Sequence, residues 1–265
     1  MKGIDISNYQ AGLDLTNARS GGIEFAICKI SEGRTYTDRL FDTFYRQATA
    51  CGLPIGAYVY SHATTPDAAV AEARFALELL AGRPMALGIF MDVETDGQMQ
   101  IPPQQLTETV RAFCTTVEAA GYLSGVYGSE YNTWARIRPG DFPSSLIWVA
   151  HYGKAPVFKC DLWQRTDSGQ FPGYGGPVDT DEVMSERMRE IIKGEGAKPE
   201  PTPAPEPQPA PAPAPTVKVT GDVILLQTAM ALDGAWDYDQ IDGLNTPAWR
   251  EAFRQFAGDV LGFKL

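Results

Sequence analysis

Carboxylates recur at the ends of apolar runs in this chain. Asp5 sits in Gly-Ile-Asp-Ile-Ser, Asp92 and Glu94 close Ile-Phe-Met-Asp-Val-Glu, and Asp179 and Asp181 lie in Pro-Val-Asp-Thr-Asp. Residues two apart on a strand point to the same face, which places Asp92 and Glu94 side by side with Val93 turned away. Two carboxyls that close cannot both ionise cheaply, so one keeps its proton to higher pH. A protonated acid beside a carboxylate is what cleavage of a glycosidic bond requires. Glu94, with the longer side chain, is the candidate general acid and then base, and Asp92 its partner. Taken alone, an Asp-x-Glu is far more often a solvated strand end; after an apolar strand and with Asp5 and Asp179 beside it, both readings stay open.

Such groups meet only if the fold brings several strand ends together. Short runs rich in β-branched and aromatic residues read as strands at Gly3–Ser7, Phe25–Ile30, Ile55–Tyr60, Gly88–Val93, Ser124–Tyr127, Leu146–Ala150, Leu162–Gln164 and, more weakly, Val178–Asp181. Helical spacing falls between them at Arg39–Ala50, Asp67–Leu80, Gln104–Ala120 and Glu130–Ile137, with Pro66, Pro102-Pro103, Gly82 and Gly121 marking boundaries. Alternation of this kind predicts an α/β fold, an irregular TIM-like β/α barrel whose strands run parallel and whose mouth collects the carboxylates. A doubly wound open sheet competes, weakened by the lack of a glycine-rich phosphate loop after the first strand.

Aromatic residues near the strand ends, Tyr58, Tyr60, Trp148, Tyr152 and Trp163, are candidate stacking platforms for sugar rings. For Tyr60 and Trp163 the groove is the preferred place; for Trp148 core packing is an equal reading. Lys29 and Gln164 can donate hydrogen bonds to acetamido or hydroxyl oxygens.

Composition narrows the partners. The 265 residues are 44% hydrophobic and 21% charged, ordinary for a globular protein, with a formal net charge of −11. An acidic chain offers no basic surface to nucleic acid or anionic lipid. Four scattered cysteines (Cys28, Cys51, Cys114, Cys160) without Cys-x-x-Cys spacing read as reduced core thiols. With only His62 and His151 beside them, no metal or other cofactor is expected. Both histidines read as structural or rim residues. No stretch approaches the ~18 apolar residues of a membrane span. The N-terminus lacks the apolar core of a signal peptide, so the expectation is synthesis in a host cytoplasm and release to the wall through membrane holes, or export by another route.

Every second residue from Pro199 to Pro215 is proline. A polyproline II spacer of that length spans about 50 Å and divides the chain into a catalytic domain (1–196), a linker (197–216) and a small all-α module (217–265).

Taken in order, Gly3-Ile4-Asp5-Ile6-Ser7 with Tyr9-Gln10, Phe25–Lys29 with Ser31-Glu32-Gly33, Gly56–Tyr60, Met91–Glu94, Trp148–Tyr152, Trp163-Gln164 and Val178-Asp179 resemble the family 25 glycoside hydrolases. These are lysozymes found in many phage endolysins and some secreted enzymes. The resemblance implies a muramidase acting on the peptidoglycan glycan strand, with Glu94 as acid/base, Asp92 as partner, Asp5 and Asp179 as flanking carboxylates, and Glu32 in substrate binding. Asp181 stands where the family commonly has asparagine. The module from 217 resembles a shortened peptidoglycan-binding repeat, with homodimerisation as the other reading of so small a tail. Two further functions compete: a wall-binding protein whose barrel has lost activity, and a peptidoglycan amidase, which would need a zinc site or a cysteine–histidine pair.

Overall fold

The computed structural model describes residues 1–171 and 173–194; the linker at 197–216 and the module at 217–265 lie outside the described residues. Nine strands form one sheet: β1 Lys2–Ile6, β2 Phe25–Glu32, β3 Tyr36–Thr37, β4 Ile55–Tyr60, β5 Ile89–Asp92, β6 Ser124–Ser129, β7 Leu146–Ala150, β8 Leu162–Phe171 and β9 Tyr174–Val183. Pairing of β1 with β2, Gly3 opposite Phe25, closes eight of them into a barrel and leaves β3 as a flap on β2. Closure disposes of the open-sheet alternative.

One strand departs from the expected parallel set. β9 is antiparallel to both β8 and β1. A parallel neighbour needs a crossover of a dozen or more residues, and Phe171 already pairs with Tyr174, so the chain can only turn straight back. Asp179 and Asp181 therefore lie inside a long strand instead of at its C-terminal end. The reversed direction sets Asp179 opposite Asp5 at the mouth and Asp181 opposite Gly3, deeper in the barrel.

Helices α1 Leu15–Ser20, α2 Phe41–Cys51, α3 Pro66–Leu80, α4 Asp96–Gln100, α5 Pro103–Ala119 and α6 Glu186–Lys193 complete the fold. α5 buries Leu106, Val110, Phe113 and Val117, a three-and-four spacing that lays one stripe on the barrel. α3 is capped by the Thr65 hydroxyl on the Ala68 amide and stops at Ala81, which takes the left-handed conformation (φ 50°) one residue before Gly82. The expected helix at Glu130–Ile137 is a run of turns. Trp134 and Ile137 bury at helical spacing, but Thr133 and Trp134 spend their side chains on the carbonyls of Val93 and Trp148, so the segment follows the strand ends instead.

Period-two alternation sorts the strand residues into two cores. Outward-facing Ile4, Ala26, Cys28, Ala57, Val59, Met91, Val126, Ile147 and Val149 pack with the helices. Inward-facing Phe25, Ile27, Phe90, Leu146, Trp148 and Leu162 plug the barrel below the mouth. The plug needs space, which glycines supply: a Cβ on Gly3 would lie 2.2 Å from the Phe25 ring, and one on Gly125 2.1 Å from Phe90. Gly125→Ala is accordingly expected to cost about 1–3 kcal/mol of stability by overpacking. A urea midpoint equal to that of the unsubstituted protein would show that Phe90 is not held against Gly125. Cys28, Cys114 and Cys160 are buried free thiols and Cys51 is half-buried, all reduced core or subsurface residues. Among the described residues no helix is long and apolar enough to cross a membrane.

Candidate active site

The inward faces of the strands end in a cavity of about 390 Å³ at the mouth, lined by carboxylates from four strands or strand ends: Asp5 (β1), Glu32 (β2), Asp92 with Glu94 (β5 and beyond it) and Asp179 (β9). Tyr58 and Tyr60 of β4, Lys29 of β2, Trp148 of β7 and Gln164 of β8 complete the walls named from the sequence. Val93 is fully buried in the outer core, so Asp92 and Glu94 do share the inner face.

Lys29 and Glu32 are three apart and both face inward, which simple alternation forbids. A bulge between Lys29 and Ser31 shifts the register by one and re-aims Glu32 beside Tyr60. Lys29 Nζ then donates to Glu32 Oε2 at 2.6 Å and sits 4.8 Å over the Tyr60 ring. Among the described residues it is the one basic side chain on the cavity wall.

Crowding of acids sets the electrostatics. Burial pushes the Asp92 carboxyl well above the ordinary carboxylate range, the Glu94 charge pushes it further, and Lys29 opposes both. Burial also raises Glu94, followed by the charge on Asp179, again offset by Lys29. Glu32 moves the other way because Lys29 donates to it. Asp92 and Glu94 therefore titrate as a pair that holds a proton to raised pH. Asp92 Oδ1 is buried without a hydrogen-bond partner among the described protein atoms.

On the far wall, Gln164 Nε2 donates to Asp5 Oδ2 at 2.9 Å while its Oε1 accepts from Tyr127 Oη at 2.9 Å and Tyr152 Oη at 3.3 Å. The tyrosines thus fix the amide orientation that reaches Asp5. Burial raises Asp5 well above its usual range, and Asp181 and Asp179 add to it. Asp179 is raised by burial, while its hydrogen bond with Asp5 lowers it.

Three residues named from the sequence stand elsewhere. Asp181 does not line the cavity; it is fully buried in the barrel, accepting from Trp148 Nε1 at 2.8 Å, and burial pushes it up to about 8. Trp163 faces outward into the helix-side core, its indole N–H donating to the His151 carbonyl at 2.7 Å. Leu162 and Gln164 face in, so the residue between them must face out. Tyr152 is 52% exposed beside the mouth and reaches the site only through Gln164. Trp148 fits both of its readings: it forms part of the cavity wall and is 1% exposed within the inner plug.

Ser7, Tyr9 and Tyr127 line the cavity without having been singled out as site residues. Alternation could have found two of them, since Ser7 follows Asp5 by two and Tyr127 follows the inward Gly125 by two. His62 is at the rim, its Nε2 3.1 Å from Glu32 Oε1, whereas the His151 side chain is largely buried and its Nδ1 pairs with Glu130.

The ordered match to known proteins agrees with this geometry. The sequence profile of Glycosyl hydrolases family 25 matches residues 4–174, the stretch from β1 into β9 that builds the cavity. The chain belongs to glycosyl hydrolase family 25. Within the family it is 31% identical over 189 residues to the autolytic lysozyme of Clostridium acetobutylicum, covering 69% of this chain and 55% of that protein. It thus spans about half the length of that relative. It is 27% identical over 207 residues to lysozyme M1 of Streptomyces globisporus, covering 71% and 69% respectively. Among solved structures, the CTP1L endolysin superposes with a TM-score of 0.64 at 28% identity, covering 73% of this chain and 70% of the other. The barrel fold is therefore shared with the endolysin.

Proposed function

We propose that this family 25 chain is a muramidase, hydrolysing the bond between N-acetylmuramic acid and N-acetylglucosamine in peptidoglycan. The observation that carries the reading is the Asp92–Glu94 pair, adjacent on the inner face at the mouth and together pushed toward protonation. The lysozyme names of the relatives support the substrate, and likeness to an endolysin supports a role in lysis of a host from within.

In this reading Glu94 donates its proton to the glycosidic oxygen as the C1–O bond breaks. The carbonyl oxygen of the substrate's own 2-acetamido group closes on C1, and Asp92 accepts the acetamido N–H and steadies the positive charge. Burial raises both carboxyls, so it does not by itself decide which of them holds the proton. The unpartnered Oδ1 of Asp92 resolves this, because an N–H bonded there favours its carboxylate and leaves the shared proton on Glu94. Water then attacks C1, Glu94 takes its proton, and the product keeps the anomeric configuration. Asp5, held by Gln164, and Asp179 flank the sugar and shape the opposite wall.

Incubation with purified bacterial walls should release reducing sugar without new amino termini; new amines without reducing ends would favour an amidase. Because Lys29 lowers both Asp92 and Glu94, Lys29→Met should raise the pKa of the working acid. Activity that needs Glu94 protonated then extends to higher pH, and a kcat/KM profile with an unmoved or lowered alkaline limb would contradict the assignment.

The segment at 217–265 is proposed as a wall-binding module on its resemblance to a peptidoglycan-binding repeat.

A further inference from the structure

The cavity does not end at Glu32. That residue also walls a second depression of about 340 Å³, lined by Arg34, Tyr36, His62, Thr64 and Glu72 between the β2–β3 turn and the segment leading into α3. Arg34 and Thr35 are shared in turn with a third, of about 590 Å³, which follows α3 past Asp67, Arg74 and Glu78. The three follow one another from the mouth, the first two sharing Glu32 as a wall and the last two sharing Arg34 and Thr35.

Its charges are unevenly partnered. Glu32 is held by Lys29 and His62, and Glu72 accepts from the Ser61 hydroxyl at 2.6 Å and the His62 amide at 3.1 Å. Arg34 and Arg74 are exposed and, among the described residues, have neither an ion pair nor a side-chain hydrogen bond, unlike Arg83 or Arg165. The sugars of a strand whose lactyl groups are amide-linked to peptide carry no charge and offer guanidinium groups nothing. The anionic part of the substrate is the short peptide on the lactyl group of muramic acid, which carries carboxylates and an amine. An acid-lined cavity repels those carboxylates, so the peptide must leave it, and a groove holding two arginines with Asp67 and Glu78 matches its mixed charge.

We propose that the groove from Glu32 across Arg34 to Arg74 binds the stem peptide of the substrate, which makes the enzyme select peptide-bearing strands. The proposal rests on the muramidase reading. It is tested by measuring kcat/KM for reducing-end release from intact glycan strands and from strands whose peptides an amidase has removed. The unsubstituted chain should prefer intact strands, but the amidase leaves a free lactyl carboxylate that the acidic mouth also disfavours, so the change of this ratio on substitution carries the test. Arg34→Ala should lower the intact-to-stripped ratio roughly threefold, and Arg34→Ala with Arg74→Ala about tenfold, since partly exposed charge pairs each contribute about a factor of three. Both side chains are exposed, so neither change threatens the fold. A ratio equal to that of the unsubstituted chain, including an equal fall on both substrates, would overturn the proposal by placing bare glycan or nothing in the groove. No cleavage of either substrate by the unsubstituted chain would instead overturn the muramidase reading beneath it.

Discussion

Glu94→Gln should lower kcat/KM for reducing-sugar release from purified walls by about 10²–10⁴-fold, the usual share of a positioned general acid and base. Glutamine keeps the shape and cannot deliver a proton, so the loss falls on chemistry and not on folding. The remaining activity should also lose its alkaline limb, because that limb reports deprotonation of a group raised by burial and by Asp179. A loss under about tenfold would move the proton transfer elsewhere, with Asp92 the nearest candidate on the inner face. The effect is large because the cavity offers Glu94 no substitute: Asp92 is lower on the strand, Asp179 is engaged with Asp5, and Asp5 with Gln164 as well.

The second large effect concerns stability. Asp181 is fully buried with Trp148 Nε1 on one oxygen and none on the other, and burial raises it from 3.8 to about 8. A folded-state pKa above the unfolded one means that its stabilising contribution is complete below about pH 4 and is lost as pH rises through about 8. An asparagine side chain in its place would still accept from the indole and never ionise. Asp181→Asn is therefore expected to gain on the unsubstituted protein between about pH 5 and about pH 9 by a few kcal/mol, each pK unit being about 1.4 kcal/mol and the raised pKa being shared with Asp5 and Asp179. Removing that charge also relieves Asp5, which adds to the gain. Urea midpoints of both proteins at the two pH values read the difference directly. A difference that does not change with pH would mean that Asp181 is not the buried charge described here. The carboxylate in place of the family's common asparagine thus has a definite cost, which falls at alkaline pH.

Much of this molecule is written locally. All eight barrel strands were legible, the last more weakly, because β-branched runs bounded by turns are short-range signals, and the Asp92–Glu94 adjacency follows from two residues on one strand. Features set by partners were not. Asp179 meets Asp5 only because β9 runs backward, and that depends on how tightly β8 turns. Glu32 reaches the cavity through a bulge that no spacing announces. α1, α4 and α6 are too short for periodicity to mark, and Glu130–Ile137 carries helical spacing while its side chains bond to strand carbonyls. Trp163 is different, since Gln164 and its neighbour cannot both face a cavity and the sequence alone excluded that pairing.

The central claim is that Glu94 protonates the oxygen linking muramic acid to the next sugar. Its most direct test is to digest purified peptidoglycan, reduce the products with borohydride and identify the new alcohol. Muramitol from the unsubstituted chain, absent with Glu94→Gln, is the predicted result; glucosaminitol, or muramitol in equal yield from both proteins, would contradict it.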